Sequence, residues 1–378
     1  MDDDILDSHA GRGGGRRTTA IVAALVVVGA VLAWRADDPP RRTAAIPSPS
    51  PSPSPTPEES TRSVPLDLVA PPAPGPTHVD VPAATAYDPL VVLRDGRLVL
   101  LDGPRPRDVA PGAFSARLFR LRGGTVVSSV FGYEVGSVRF VADGGGSTVV
   151  GSGLVAFPAL DGVSMWIGEE TRDGMVLRRH DVRTGAIRQQ TTLPPKHVPV
   201  AEVATGIAAD ADRSEMVGTS VVWSPARHRV VRRLRGRVAA AAGRYVVTGP
   251  VLDCRLGCYS RVDVVTGRSA VVEGLFLAGS FPTISPDGRW VVAYADEHGG
   301  SPWHLVVRDM RLGVTTTVRG ADVTADTVAG FAWAPDSRRL YVSLLMFLQG
   351  TGQVLVWEPR TGTLRSVSEK PVESLAVA

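Results

Sequence analysis

The chain holds two cysteines, and they stand close together: Cys254 and Cys258, in the stretch CRLGC. Two sulfurs at this spacing can form a disulfide, act as a redox pair or help hold a metal. In a fully extended strand, residues four apart lie about 13 Å from each other, beyond disulfide reach. A three-residue hairpin loop with Gly257 in the left-handed position brings them face to face. Redox motifs usually have two intervening residues, and no second Cys or His cluster supports a metal. The expectation is a hairpin-tip disulfide between Cys254 and Cys258 in an oxidising compartment. It closes a very short loop, so its stabilising effect is modest.

The densest charge lies at residues 227–237, RHRVVRRLRGR, which carry Arg227, Arg229, Arg232, Arg233, Arg235 and Arg237. One reading is a patch for an anionic polymer, lipid headgroups or an acidic partner. The other is a charged outer edge strand that blocks sheet-to-sheet association. The histidines, among them His180, His197, His228, His298 and His304, form no HxH or HExxH set, so metal catalysis has no motif to stand on. Asp210, Asp212, Ser214 and Glu215 offer oxygens at close spacing. They lack the Gly and distal Glu of a calcium loop and read as a turn. His298-Gly299-Gly300 has no G-x-S-x-G elbow to serve. No catalytic residue, metal ligand or cofactor site is assigned.

Forty glycines, thirty prolines and only 21% charged residues point to short strands and turns rather than long helices. A formal net charge of +3 gives no argument for nucleic acid. The N-terminus is segmented. Residues 1–17 are polar and Gly/Arg-rich, a disordered cytoplasmic tail. Residues 18–35 open with an uncharged run, TTAIVAALVVVGAVLAW, which rises about 25 Å as a helix, the lower limit for a bilayer core. A non-cleaved signal-anchor is the favoured reading, with a cleaved signal peptide and secretion as the alternative. Residues 36–87 centre on PSPSPSPSPTP at 47–57, where alternating proline enforces an extended, polyproline-like linker.

From residue 88 the chain becomes a run of short strands and turns. Asp181-Val182-Arg183-Thr184-Gly185 is echoed at 263–267, 309–313 and 358–362. Each phrase follows an apolar run and precedes another short strand, as a hairpin turn does. With weaker equivalents at 102, 143 and 224, the anchors fall 41, 38, 43, 39, 46 and 49 residues apart. Beats of about 40–45 residues are the blade period of a β-propeller. A second phrase, Ser285-Pro286-Asp287-Gly288-Arg289-Trp290, is nearly copied at 334–339 and reads as a tight turn into a buried strand. The apolar residues at 372–378 are expected to pair into the first blade and close the ring. Trp166, Trp223, Trp290, Trp303, Trp333 and Trp357 read as packing between blades.

The SPDGRWVV and APDSRRLYV phrases resemble the repeats of TolB-like and WD-repeat-like β-propellers, and the D-x-x-T-G phrases resemble their blade-ending turns. True WD repeats carry Gly-His and Trp-Asp pairs that are missing here, so the TolB-like branch is nearer. That resemblance implies an interaction platform in the cell envelope and transfers no catalytic set. Together with the anchor, stalk and Ala/Val/Arg/Gly-rich composition, the chain looks like an actinobacterial membrane-anchored envelope protein.

The expected fold is all-β: a seven-bladed β-propeller over 88–378, with six or eight blades as the alternatives, after one N-terminal transmembrane helix and the Pro/Ser-rich linker. The expected role is a monomeric, extracytoplasmic platform on the cell membrane for an envelope protein, peptide or cell-wall polymer. A lactonase- or lyase-like propeller enzyme and a structural spacer are the alternatives.

Overall fold

The computed structural model describes residues 79–80, 88–101, 107–111, 116–130, 135–211, 219–249, 259–272, 283–295, 303–324, 327–346 and 349–377. They belong to the second of two units into which the chain divides, Leu68–Ala378. The expected membrane span at 18–35, the proline-rich centre of the linker and both cysteines lie outside the described residues.

Seven antiparallel sheets of four consecutive strands each form the ring, with one exchange at the seam. Strands a to d run from the axis outward. Blade 2 comprises Arg117–Leu121, Gly124–Ser128, Gly136–Ala142 and Ser147–Gly153. Blade 3 comprises Val155–Pro158, Ser164–Thr171, Gly174–Asp181 and Ile187–Thr192. Blade 4 comprises His197–Val203, Gly206–Ala211, Val221–Ser224 and Arg229–Arg233. Blade 5 comprises Arg237–Ala242, Tyr245–Gly249, Tyr259–Asp263 and Ser269–Val272. Blade 6 comprises Thr283–Ile284, Trp290–Ala295, Trp303–Asp309 and Val314–Val323. Blade 7 comprises Thr327–Trp333, Leu340–Met346, Thr351–Glu358 and Thr363–Ser368. Blade 1 takes strands b to d from Leu90–Arg94, Arg97–Leu101 and Arg107–Pro111, and its strand a from Ser374–Val377.

That exchange closes the ring. Leu90 lies opposite Val377 and Leu93 opposite Ser374, as the short apolar run at 372–378 predicts. Closure gives blade 1 its fourth strand and covers the edge that Leu90–Arg94 would otherwise present. Val79–Asp80, inside the expected linker, adds a short parallel strand to the outer edge of blade 7.

A blade is covered on both faces, so its strands are apolar without strict alternation. Leu90 and Val92 pack toward blade 7, while Val91 and Leu93 pack toward blade 2. Val292 and Tyr294 face blade 7, and Val291 and Ala293 face blade 5. Seven buried clusters fill the seven junctions in this way. All their residues lie within 90–377, so the ring carries its whole core in one stretch of chain. Burying each large aliphatic side chain contributes about 1.5–3 kcal/mol. The tryptophans sit at two of these junctions: Trp166 and Trp223 between blades 3 and 4, the other four between blades 6 and 7. Trp290 meets Trp357 edge to face at 6.0 Å.

The repeat phrases are turns of defined chemistry. In D-x-x-x-G, the glycine N–H donates to the acid's carbonyl, at 2.7 to 2.9 Å in the phrases starting at 181, 263, 309 and 358. The chain can make that bond only with its fifth residue left-handed, and Gly185, Gly267, Gly313 and Gly362 have φ of 69° to 80°. The carboxylate folds back as well: Asp309 Oδ1 accepts from the backbone N–H of Arg311 at 2.8 Å and of Leu312 at 3.2 Å. All seven anchors fall where strand c hands over to strand d. The SPDGRW phrase is the a–b turn of blade 6. Gly288 N–H donates to Ser285 O at 2.8 Å, and Ser285 Oγ accepts from Trp290 N–H at 2.9 Å.

Candidate functional site

Antiparallel meanders place the a–b and c–d turns on one face of the ring and the b–c turns and d-to-a crossings on the other. The first face is regular in its c–d turns. Its c–d connections are four or five residues long in every blade. Its a–b turns tie neighbouring blades together: Arg122 N–H donates to Gly162 O at 2.8 Å, Leu160 N–H to Glu202 at 2.7 Å and Ala204 N–H to Gly243 O at 2.9 Å. Arg261 donates to Gly288 O at 2.5 Å, and Asp287 N–H to Ser337 Oγ at 3.1 Å. At the seam, the Tyr341 hydroxyl donates to Asp88 at 2.9 Å and accepts from its N–H at 2.7 Å. Burial pushes the Tyr341 hydroxyl up, which keeps its proton in place for that bond.

This face also holds the carboxylates whose titration is depressed. Asp263 lies far below the usual carboxylate range, chiefly because Arg244 hydrogen-bonds it, with the backbone N–H groups of Val265 and Thr266 adding to the effect. For Asp181 and Asp309 burial pulls the other way. The turn N–H groups and a guanidinium, from Arg188 and Arg289 respectively, outweigh it and hold both below the ordinary value. These are turn-locking groups, spent on the fold.

The opposite face varies. Its b–c connections run from two residues, 95–96 and 172–173, to nine, 212–220 and 250–258. Blade 6 departs from the repeat here. Leu305 pairs with Val318 and Trp303 with Val323, so residues 319–322 of strand d stand against the single residue His304. Ala321 turns inward and is fully buried in the blade 6–7 core. Asp322 stays outside and meets His304, Nδ1 to Oδ1, at 2.8 Å. Tyr294 lies on the adjacent strand with its ring stacked on Phe331 at 5.6 Å. Its hydroxyl is pushed up by burial, with the charge of Asp322 adding to the effect. A carboxylate on Nδ1 fixes the imidazole ring and leaves Nε2 for an incoming group.

A second polar cluster sits on the same face between blades 4 and 5. Buried Asp210 accepts from Ser220 Oγ at 2.7 Å, Val238 N–H at 3.2 Å and Arg237 Nε at 2.8 Å. Asp210 is thus a blade-joining residue.

The six predicted arginines do not form one patch. Arg229–Arg233 is the outermost strand of blade 4, as the edge-strand reading expects. Arg227 and Arg229 stand at the c–d face, while Arg233 and Arg235 are exposed at the opposite face. Arg232 reaches sideways and donates to Val264 O of blade 5 at 3.2 Å. Arg237 is paired with Asp210. Cys254 and Cys258, in a b–c connection, lie outside the described residues. Among the described residues no group of three His, Cys, Asp or Glu is placed to hold a metal. The described inner strands carry one carboxylate, Glu202, which is engaged with Leu160. The His304–Asp322 pair escaped sequence reasoning. Its trace was the longest anchor spacing, 309 to 358, which contains the extra residues.

The fold and its two faces define the class: a seven-bladed β-propeller closed by its C-terminal strand. No protein-family model and no curated protein matches the chain. Solved structures do. The β-propeller domain of the trilobed protease from Pyrococcus furiosus matches with a TM-score of 0.51 at 10% identity, over 72% of this chain and 86% of that one. That domain has an open velcro topology, whereas here Ser374–Val377 seals blade 1. Acylaminoacyl peptidase from Pyrococcus horikoshii matches with a TM-score of 0.51 at 10% identity, over 72% of this chain and 47% of that one. TolB from Acinetobacter baumannii gives 0.42 at 14% identity, over 76% of this chain and 66% of that one. This chain therefore spans just under two-thirds of TolB and about half of the peptidase. At these identities the likeness establishes the fold alone.

Proposed function

We propose that this protein is a membrane-anchored, extracytoplasmic β-propeller that binds an envelope protein, a peptide or a cell-wall polymer on its b–c face. One observation carries the reading. The two faces are built differently: the c–d turns of blades 3, 5, 6 and 7 repeat one turn chemistry and every c–d connection is four or five residues long, whereas the b–c face carries connections of two to nine residues and the blade 6 bulge. Connections that the fold does not dictate are free to carry recognition. His304, Asp322, Arg233 and Arg235 are among the described polar groups of that face with exposed or half-exposed side chains. A lactonase- or lyase-like site needs several carboxylates or histidines converging on the axis, and the described inner strands carry Glu202, occupied by Leu160 N–H, and His197, whose Nδ1 meets Pro195 O at 3.0 Å.

The test is crosslinking in intact cells with the full chain, comparing it with the double variants His304→Ala/Asp322→Ala and Arg233→Glu/Arg235→Glu. The expected result is a specific crosslinked species that at least one pair removes while the protein melts as before. Equal capture by the parent and both variants would move recognition off this face. Turnover of a lactone or glycan by the parent, abolished in a variant, would replace the platform with an enzyme.

A further inference from the structure

The outer turns of the a–b and c–d face share a feature beyond fold chemistry. Each c–d turn from blade 3 to blade 7 presents an exposed arginine: Arg183, then Arg227 with Arg229, Arg268, Arg311 and Arg360. None of these six guanidiniums forms an ion pair within the described residues. The acids of the same turns, Asp181, Asp263, Asp309 and Glu358, are drawn inward onto turn N–H groups or onto Arg188, Arg244, Arg289 and Arg339. Five consecutive blades therefore show positive charge at their tips and hide the negative charge that accompanies it. Aliphatic side chains are interleaved with the arginines: Ile187 on blade 3, Val265 on blade 5, Leu312 and Val314 on blade 6. They are 50% to 67% exposed, Val265 and Leu312 on c–d turns and Ile187 and Val314 at the first residue of strand d. Of the exposed acids of this face, Asp287 and Asp336 lie on inner a–b turns, away from the rim, and Asp143, on the c–d turn of blade 2 outside the belt, is paired with Arg120.

We infer that the outer turn tips of blades 3 to 7 form a basic, aliphatic-studded belt that docks the propeller onto an anionic lipid surface. Arginine and exposed aliphatics together suit a lipid interface: the charges meet headgroup phosphates and the side chains enter the headgroup layer. A soluble anionic polymer uses the charges and has no use for Leu312. A tether of the kind expected at 18–87 holds the belt at high local concentration beside the bilayer, so a weak contact suffices. The belt is independent of the proposed binding face and turns that face away from the membrane.

The unit Leu68–Ala378 carries all seven sheets, Val79–Asp80 included, and all seven core clusters, so residues 68–378 can be tested without the apolar run. The experiment is co-sedimentation with vesicles of phosphatidylcholine alone and of phosphatidylcholine with phosphatidylglycerol. Binding is expected on the anionic vesicles, weakening as salt is raised. Arg268→Glu/Arg311→Glu/Arg360→Glu should lower it about a hundredfold or more. Val265→Ser/Leu312→Ser should lower it about tenfold and leave the salt dependence in place. Both variants change exposed turn tips, so a thermal melt close to the parent's confirms that the ring is intact. No binding, or equal binding to neutral vesicles, overturns the proposal. Binding that survives charge reversal overturns it as well. Binding that charge reversal abolishes and the serine pair leaves unchanged rejects the lipid surface in favour of an anionic polymer.

Discussion

The two faces of this ring divide what a repeat protein must do. On the a–b and c–d face, the c–d turns of blades 3, 5 and 6 repeat in sequence and structure together: an aspartate ends strand c, its carboxylate caps the turn, and a glycine takes the left-handed position. On the b–c face the connections differ in length, one outer strand bulges, and a histidine meets a carboxylate that no repeat supplies. The first face is fixed because each turn also ties blade to blade. The second is free because the strands beneath it are already held. A propeller can thus keep its architecture while its recognition surface changes.

The largest predicted effect breaks the ring itself. Deleting residues 374–378 removes the strand opposite Leu90–Leu93, together with its buried Leu375 and Val377, and uncovers that edge of blade 1. A loss of about 5 kcal/mol or more is expected, read as a collapsed or strongly lowered melting transition.

Next comes the turn face. A side chain at Gly288 must adopt φ of 70°, and its Cβ would lie 2.1 Å from the Tyr245 ring. Gly288→Val should therefore cost about 3 kcal/mol or more in denaturant unfolding. Asp309→Ala leaves two turn N–H groups and Arg289 without their acceptor and should cost about 2 kcal/mol.

The same face sets the acid limit. Asp143, Asp161, Asp181, Asp263 and Asp309 all titrate below the ordinary carboxylate value in the folded ring. A depressed folded value means that the stabilisation is present above the unfolded value near pH 4 and is lost as pH falls through the folded values. The melting temperature should fall steeply below about pH 4, and Asp309→Asn should flatten that slope. An unchanged slope would place the acid sensitivity elsewhere.

The smallest stability effect belongs to the variable face. His304→Ala removes a half-exposed partner of Asp322 and should change stability by less than about 1 kcal/mol. A larger loss would make the pair structural and blur the contrast between the faces.

Much of this was legible in the chain. The glycines and acids of the c–d phrases could be read because their chemistry is local: the turn is specified within five residues. The closing strand could be read from one short apolar run with no partner of its own. Arg229–Arg233 forms the outer strand of blade 4, as the edge-strand reading expects, and that geometry divides the charges of the cluster. Arg229 and Arg233 are near in sequence, but a five-residue strand carries its ends to opposite faces, about 13 Å apart. The belt that Arg227 and Arg229 do join draws one arginine from each later phrase, a pattern visible only once those phrases are known to be turn tips on one rim. His304 and Asp322 are 18 residues apart and meet through a bulge of four residues against one, which no local pattern encodes.

The most direct test of this division measures melting temperature and crosslinked capture on the same two variants. Asp263→Ala/Asp309→Ala should lower the melting temperature by about 4–8 °C and leave capture by the folded protein intact. His304→Ala/Asp322→Ala should leave the melt within about 2 °C and reduce capture at least tenfold. If the turn-face pair removes capture without unfolding the protein, or the bulge pair lowers stability while capture persists, the two faces do not divide the work in this way.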